Sequence, residues 1–210
     1  MTTKAAENGK VREGRSTRDG ILEAASRLIH VHGYNHTSLD DVLRESGVGK
    51  GNLYYYFKSK EDLGYAILDQ IIGSFLERTL EPCFSDPNGA ALGQIRCFLD
   101  RLLEMQRARN CVGGCPLGNL AAELSDVHEG FRARLASVFG AWRERLTSAL
   151  RAAQERGTVD AACRPEAVAD FLVASLEGAI LLTKLTKDIA VMEQCVAETK
   201  RYLSLFEPRV

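Results

Sequence analysis

Apolar residues recur along this chain at the 3.6-residue interval of a helix, and no convincing run alternates with the period of two that a half-buried strand requires. That pattern restricts the fold to helices packed on helices, and the predicted class is all-α. Ile21, Leu22, Ala25, Leu28 and Ile29 share one face of a first helix that starts at Ser16 or Thr17 and ends at Gly33. Thr37 or Ser38 then caps a short helix over Leu39–Ser46, with Asp40 or Asp41 in its first turn. Gly47-Val48-Gly49 is a tight turn, and Lys50–Phe57 follows as a third short helix. Ser59 with Asp62 starts a fourth, running to about Leu80 before Pro82.

Longer helices follow. The pattern predicts them over Ala90–Ala108, from Pro116, from an Asp126/Glu129 capping box to Gly157, over Pro165–Lys187 and over Ile189–Phe206, making eight or nine in all. Composition is ordinary for a globular chain, with 45% hydrophobic and 26% charged residues. The longest apolar run, near Ala179–Leu182, is far too short to span a bilayer, and residues 1–20 lack the apolar core of a signal peptide. The expectation is a cytoplasmic protein without membrane contact. Net charge is −1, yet residues 1–60 carry ten Lys or Arg against seven Asp or Glu. A basic end on an acidic body is the polarity of a small nucleic-acid-binding head with a different task behind it.

Cys83, Cys97, Cys111, Cys115, Cys163 and Cys195 form no Cys-x-x-Cys pair and no zinc-ribbon spacing, so free thiols are expected. His30, His32 and His36 have no carboxylate or thiol beside them in a ligating pattern, and neither a metal nor a cofactor is predicted.

Helix, glycine turn, helix over Thr37–Phe57 is the spacing of a helix-turn-helix. Leu53 and Phe57, four apart, face Val42, Leu43 and the first helix. Lys50 with Tyr54, and Gly51 with Tyr55, face the other way, flanked by Asn52 and Tyr56. Phenol hydroxyls and an amide on that face can reach phosphates or base edges, while Gly51 lets the backbone approach a groove. Thr37 and Ser38 offer hydroxyls at a helix N-terminus, and Lys58 and Lys60 add charge beyond the third helix.

These residues carry a resemblance. Ile21-Leu22-x-Ala24-Ala25-x-x-Leu28-Ile29-x-x-x-Gly33-Tyr34-x-x-Thr37-Ser38, then Gly47-Val48-x-Lys50-Gly51-Asn52-Leu53-Tyr54-Tyr55-Tyr56-Phe57-Lys58-Ser59-Lys60-Glu61-Asp62-Leu63, resembles the DNA-binding head of the tetracycline repressor (TetR) family. The resemblance implies that Lys50, Gly51, Asn52, Tyr54 and Tyr55 touch DNA and that Tyr56, often His in the family, and Lys60 contact phosphates. Gly49 departs from the usual Ser or Thr and removes a helix cap, at a cost of about 0.5 kcal/mol or less.

The implied organisation is a flexible tail over 1–15, a DNA-binding domain over 16–60, and an effector-binding and dimerisation domain over 61–210. The implied function is a ligand-responsive regulator, a repressor that binds palindromic operator DNA and is released by a small apolar effector. Symmetric half-sites demand a homodimer. Its interface is expected on the last two helices, at Phe171, Ser175, Gly178, Ala179, Met192, Val196 and Tyr202. Phe75, Phe98, Leu102, Met105, Leu120, Leu124, Phe139 and Trp142 are the candidate effector contacts, and their apolar character sets the expected effector class.

Two rival readings use other features. Cys115 precedes Pro116 at a helix start, where the dipole favours thiolate, and Cys111 lies within disulfide reach across two glycines. That allows a redox- or electrophile-sensing regulator, or a thiol-dependent enzyme. The enzyme is disfavoured by the lack of a phosphate-cradling Gly motif, a Cys-His-Asp arrangement or a redox Cys-x-x-Cys, so no catalytic residue is assigned. A purely architectural DNA binder leaves the long apolar helical body unexplained.

Overall fold

The structure, a computed structural model, describes residues 3–86 and 89–208, with side chains described from Thr17 onward. Among the described residues there are nine α-helices and no strand. They are α1 (Thr3–His32), α2 (Leu39–Ser46), α3 (Lys50–Tyr56), α4 (Lys60–Phe75), α5 (Ala91–Ala108), α6 (Pro116–Leu124), α7 (Glu129–Glu155), α8 (Pro165–Thr186) and α9 (Ile189–Ser204). The chain divides into two compact units, Met1–Ile71 and Ile72–Val210.

In the first unit α1 packs on α2 and α3. Its helical backbone begins at Thr3, so the start expected at Ser16 or Thr17 lies inside a longer helix. The upstream stretch is rich in Lys, Ala, Glu and Arg, all good helix formers, and lacks proline. Ile21, Leu22, Ala25 and Ile29 are buried, and Gly33 leaves the helix at φ 89°. Ser38 closes a reciprocal capping box with Asp41: the Asp41 N–H donates to Ser38 Oγ at 3.1 Å and the Ser38 N–H to Asp41 Oδ2 at 2.9 Å. Such a cap contributes about 1 kcal/mol. These bonds from Ser38, with Arg44 beside them, hold the Asp41 carboxyl down at about 2. Gly47 ends α2 in the left-handed region at φ 67°. Burial of Leu53 and Phe57 anchors α3, each stabilising the unit by about 1.5–3 kcal/mol.

The second unit is built on α5, α7, α8 and α9 around one large apolar cluster, with α6 packed on α7. The expected continuous run from α4 to about Leu80 is corrected. After Phe75 the chain widens into a π-helical turn over Leu76–Leu80 and then tightens into a 3₁₀ turn over Glu81–Cys83. The reason lies in Pro82. It has no N–H to donate to the Arg78 carbonyl four residues back, and its ring crowds that group. Arg101 of α5 supplies the missing donor to Arg78, while the Glu81 N–H bonds the Leu76 carbonyl in the five-residue register.

Other sequence expectations shift as well. His128, not Asp126, occupies the N-cap of α7 and makes no capping hydrogen bond with its side chain, and Glu129 pairs with Arg132, so the Asp126/Glu129 capping box does not form. Cys83 and Cys97 are joined in a disulfide, contrary to the expectation of free thiols. Their Cα atoms, 5.7 Å apart, are brought together by the turn at Pro82 rather than by any sequence motif. Cys111, Cys115, Cys163 and Cys195 are free.

Candidate functional site

The short α3 has one apolar side, and packing fixes what the other presents. Leu53 and Phe57 are 0% and 2% exposed. One helical step round, Tyr54 is 41% and Tyr55 73% exposed, and Lys50, Gly51 and Asn52 are exposed too. Tyr56 is half-buried and holds the Tyr55 ring edge-on, with ring centres 4.9 Å apart. Lys50 Nζ lies 6.0 Å from the centre of the Tyr54 ring. Lys58 turns back to cap the helix, donating to the carbonyls of Tyr54 at 3.1 Å and Tyr55 at 3.3 Å. Lys60 sits over the Tyr34 ring at 4.5 Å and donates to the Asn35 carbonyl at 3.4 Å. Polar, aromatic and cationic groups thus lie together on a convex helix surface, the combination suited to phosphates and base edges.

Thr37 and Ser38 are placed differently from one another. Thr37 is buried and its hydroxyl donates to the Gly33 carbonyl at 2.8 Å, so it stiffens the exit of α1. Ser38 is exposed at the start of α2, with its hydroxyl engaged by Asp41.

In the second unit the structure brings Phe75, Phe98, Leu102, Met105, Phe139 and Trp142 into one cluster. Trp142 is its centre: its ring lies 5.5 Å from Phe75, 5.4 Å from Phe98 and 6.0 Å from Phe139. The indole Nε1 is buried and has no hydrogen-bond partner among the described residues. Leu120 and Leu124 are buried on α6, outside that cluster.

Cys115 N-caps α6, its Sγ accepting from the Gly118 N–H at 3.3 Å. The thiolate expected from the helix dipole is not what this site favours. Burial and the neighbouring Glu177 carboxylate push the thiol up to about 12. Burial also raises Glu177, partly offset by the hydrogen bond with the thiol, and Glu177 Oε1 has no partner among the described residues. No sequence signal foretold this pair, since the two residues sit on different helices. Gly118 makes room for it: a Cβ there would collide with the Glu177 carboxylate. Cys111 is buried, at φ 60°, and is not bonded to Cys115.

The residues expected at an interface on α8 and α9 divide by burial within the chain. Ala179, Met192 and Val196 lie in the chain's own core, at 2%, 0% and 3% exposure. Phe171 is exposed, stacked on the half-buried Tyr202 at 4.7 Å, and Ser175 and Gly178 are half-buried. The large apolar side chains α8 leaves exposed are Phe171, Leu181, Leu182 and Leu185. A helix apolar on more than one face gives no sequence clue to which face the chain itself covers.

Comparison with known proteins accounts for both units. Residues 21–67 match the family model described as bacterial regulatory proteins, tetR family, and residues 91–198 match the tetracyclin repressor-like C-terminal domain. The transcriptional regulator AcuR of Cereibacter sphaeroides is 35% identical, over 79% of this chain and 75% of its own. An uncharacterized HTH-type transcriptional regulator of Lactococcus lactis is 33% identical, over 85% and 89%. Among solved structures, the reduced form of Escherichia coli NemR, an HTH-type transcriptional repressor, superposes with a TM-score of 0.81 at 26% identity, covering 93% of this chain and all of that one. An exposed tyrosine-bearing face on a two-sided helix, family matches at both ends and relatives that are regulators along most of their length lead to one conclusion: this chain belongs to the TetR family and is a helix-turn-helix transcriptional regulator.

Proposed function

We propose that the protein is a cytoplasmic repressor, without catalytic activity, that binds a palindromic operator as a homodimer and lets go when a small apolar effector enters its second unit. The observation that carries this reading is the two-sidedness of α3, with Leu53 and Phe57 sealed inward and Tyr54 and Tyr55 turned out. The proposed contacts are Lys50, Gly51, Asn52, Tyr54 and Tyr55 to the groove, with Tyr56, Lys60 and Ser38 to the flanking backbone. Thr37 serves the same surface indirectly, by fixing the turn before α2. The DNA-binding domain is proposed to end near residue 60, and the effector and dimer functions to lie beyond it. The name repressor, carried by NemR, supports the direction of regulation.

The proposed effector site is the aromatic cluster round Trp142, whose buried indole N–H can donate one hydrogen bond to an otherwise apolar guest. The proposed dimer surface is the exposed side of α8 with Phe171, Leu182 and Leu185, joined by Tyr202 of α9 and with Ser175 and Gly178 allowing close approach. Linkage requires that an effector which weakens DNA binding is itself weakened by DNA to the same factor.

The test is selection of bound duplexes from random-sequence DNA by the purified protein, followed by titration of the winner. The expected result is a palindrome bound with salt-dependent affinity that Tyr55→Ala weakens. Selection of no consensus, or full affinity in Tyr55→Ala and Lys50→Ala alike, overturns the assignment of the face. Trp142 is the chain's one tryptophan, so its fluorescence reads effector entry directly.

A further inference from the structure

We infer that Cys83 and Cys97 form a reversible oxidation site, a disulfide clasp that tightens or frees the turn following α4. The two residues differ in access: Cys83 is 6% exposed within the 3₁₀ turn, whereas Cys97 is exposed on α5. The clasp also has a defined object. Residues 76–84 leave the regular helical register at the π and 3₁₀ turns. They are tied to α5 by Arg101 to the Arg78 carbonyl and by Thr79 Oγ1 to Met105 Sδ at 3.4 Å, and to α7 by Arg145 to the Phe84 carbonyl. The disulfide is the covalent member of that set. Irregular helical turns of this kind are common where a segment has to move.

The chemistry balances with a hydroperoxide as oxidant. The Cys97 thiolate attacks one peroxide oxygen, the O–O bond breaks, and the alkoxide leaves and takes a proton as an alcohol. The Cys83 thiolate then attacks the Cys97 sulfenic sulfur, forming the S–S bond and releasing hydroxide, which becomes water. The two thiols lose two electrons and two protons, and the peroxide gains them. In the reverse direction a small dithiol attacks the sulfur of Cys97, the more exposed residue of the pair, Cys83 leaves as thiolate, and the second thiol of the reductant releases Cys97.

The consequence for DNA rests on the regulator reading above. The chain passes from one unit to the other within α4, so a looser segment just beyond it adds conformational freedom that operator binding must remove. The disulfide form is therefore the tighter binder, by roughly fivefold, the low end of ordinary coupling between sites.

The experiment compares full-length protein treated with cumene hydroperoxide or with dithiothreitol, in wild type and Cys97→Ser. Non-reducing peptide mapping is expected to show a Cys83–Cys97 cross-link that dithiothreitol removes from the folded protein. Hydrogen exchange over residues 76–84 is expected to be faster in the reduced protein and in Cys97→Ser, whatever the oxidant. The selected duplex is expected to bind the oxidised wild type more tightly, with Cys97→Ser fixed at the reduced affinity. A missing cross-link, a cross-link the dithiol cannot open without unfolding, or identical exchange and affinity in both forms overturns the inference. Failure of both forms to select any duplex counts instead against the operator reading, and the exchange data still decide the clasp.

Discussion

The short helix α3 and the long helix α8 solve opposite problems with the same amphipathic logic. In α3, a helix too short to have more than one buried side, Leu53 and Phe57 fill the interior and whatever remains is surface. The tyrosines on its far side therefore stand out as residues whose placement the core does not explain. In α8, Leu172, Leu176 and Ile180 are buried while Phe171, Leu181, Leu182 and Leu185 are not, so apolar character is spread round the helix. There the same residue type serves the core, the surface and the neighbourhood of Glu177. The lesson is that a short, two-sided helix shows its task in its sequence, whereas a long one apolar on several sides does not.

The difference can be broken first at Cys115. With its thiol held near 12 instead of 9, the thiolate fraction at neutral pH is lower by roughly a thousandfold, and iodoacetamide should react correspondingly slowly. Glu177→Gln removes the carboxylate that opposes ionisation and should speed the reaction. Mass-resolved alkylation rates between pH 7 and 10 check both, and ordinary reactivity in the wild type would show that the body hides no such group. The sign for stability follows: the folded state keeps the thiol proton to higher pH than the unfolded chain does. This contribution is full below about 9 and declines as pH rises toward about 12.

Next in size is the inner side of α3. Leu53→Ala should destabilise the first unit by about 2–5 kcal/mol, measured by urea unfolding. The outer side should separate cleanly from it. Tyr55→Ala should leave unfolding unchanged and weaken operator binding by about 1–3 kcal/mol in an anisotropy titration. A Tyr55 variant that loses stability instead would erase the contrast between the two faces.

Gly118→Ala should cost about 1–3 kcal/mol, because a Cβ there displaces the Glu177 carboxylate, and thermal unfolding tests this. The smallest effect is expected at Lys187, which ends α8 at φ 56°. Lys187→Gly should raise stability by about 1 kcal/mol or less, since glycine adopts that conformation without a Cβ clash.

Legibility in the sequence followed the reach of the forces involved. Local effects are readable: the bounds of α2, a cap at Thr37 or Ser38 (of which Ser38 is the one used), the glycine turns at Gly33 and Gly47, and the burial of Leu53 and Phe57 all depend on neighbours a few residues away. Features that join distant segments are not. Nothing within fourteen residues of chain marks Cys83 for Cys97, and nothing near Cys115 announces Glu177, because tertiary packing makes both pairs. Ala179, Met192 and Val196 are buried within the chain, and their sequence does not show this because small and apolar residues suit a subunit contact as well as a core. Even at α7 the Asp126/Glu129 signature does not act, since the helix starts at Glu129 with His128 at its N-cap and Glu129 pairs with Arg132.

The carbonyl that Pro82 strands at Arg78 is satisfied by Arg101, a partner twenty-three positions downstream. This makes the stretch between α4 and α5 a ruler as well as a connector. Lengthening it by one residue before Pro82 would rotate the stranded oxygen away from the guanidinium, so related genes that differ in length here should carry their insertions beyond Phe84. Where one of them lacks the proline, the arginine should have no reason to be kept.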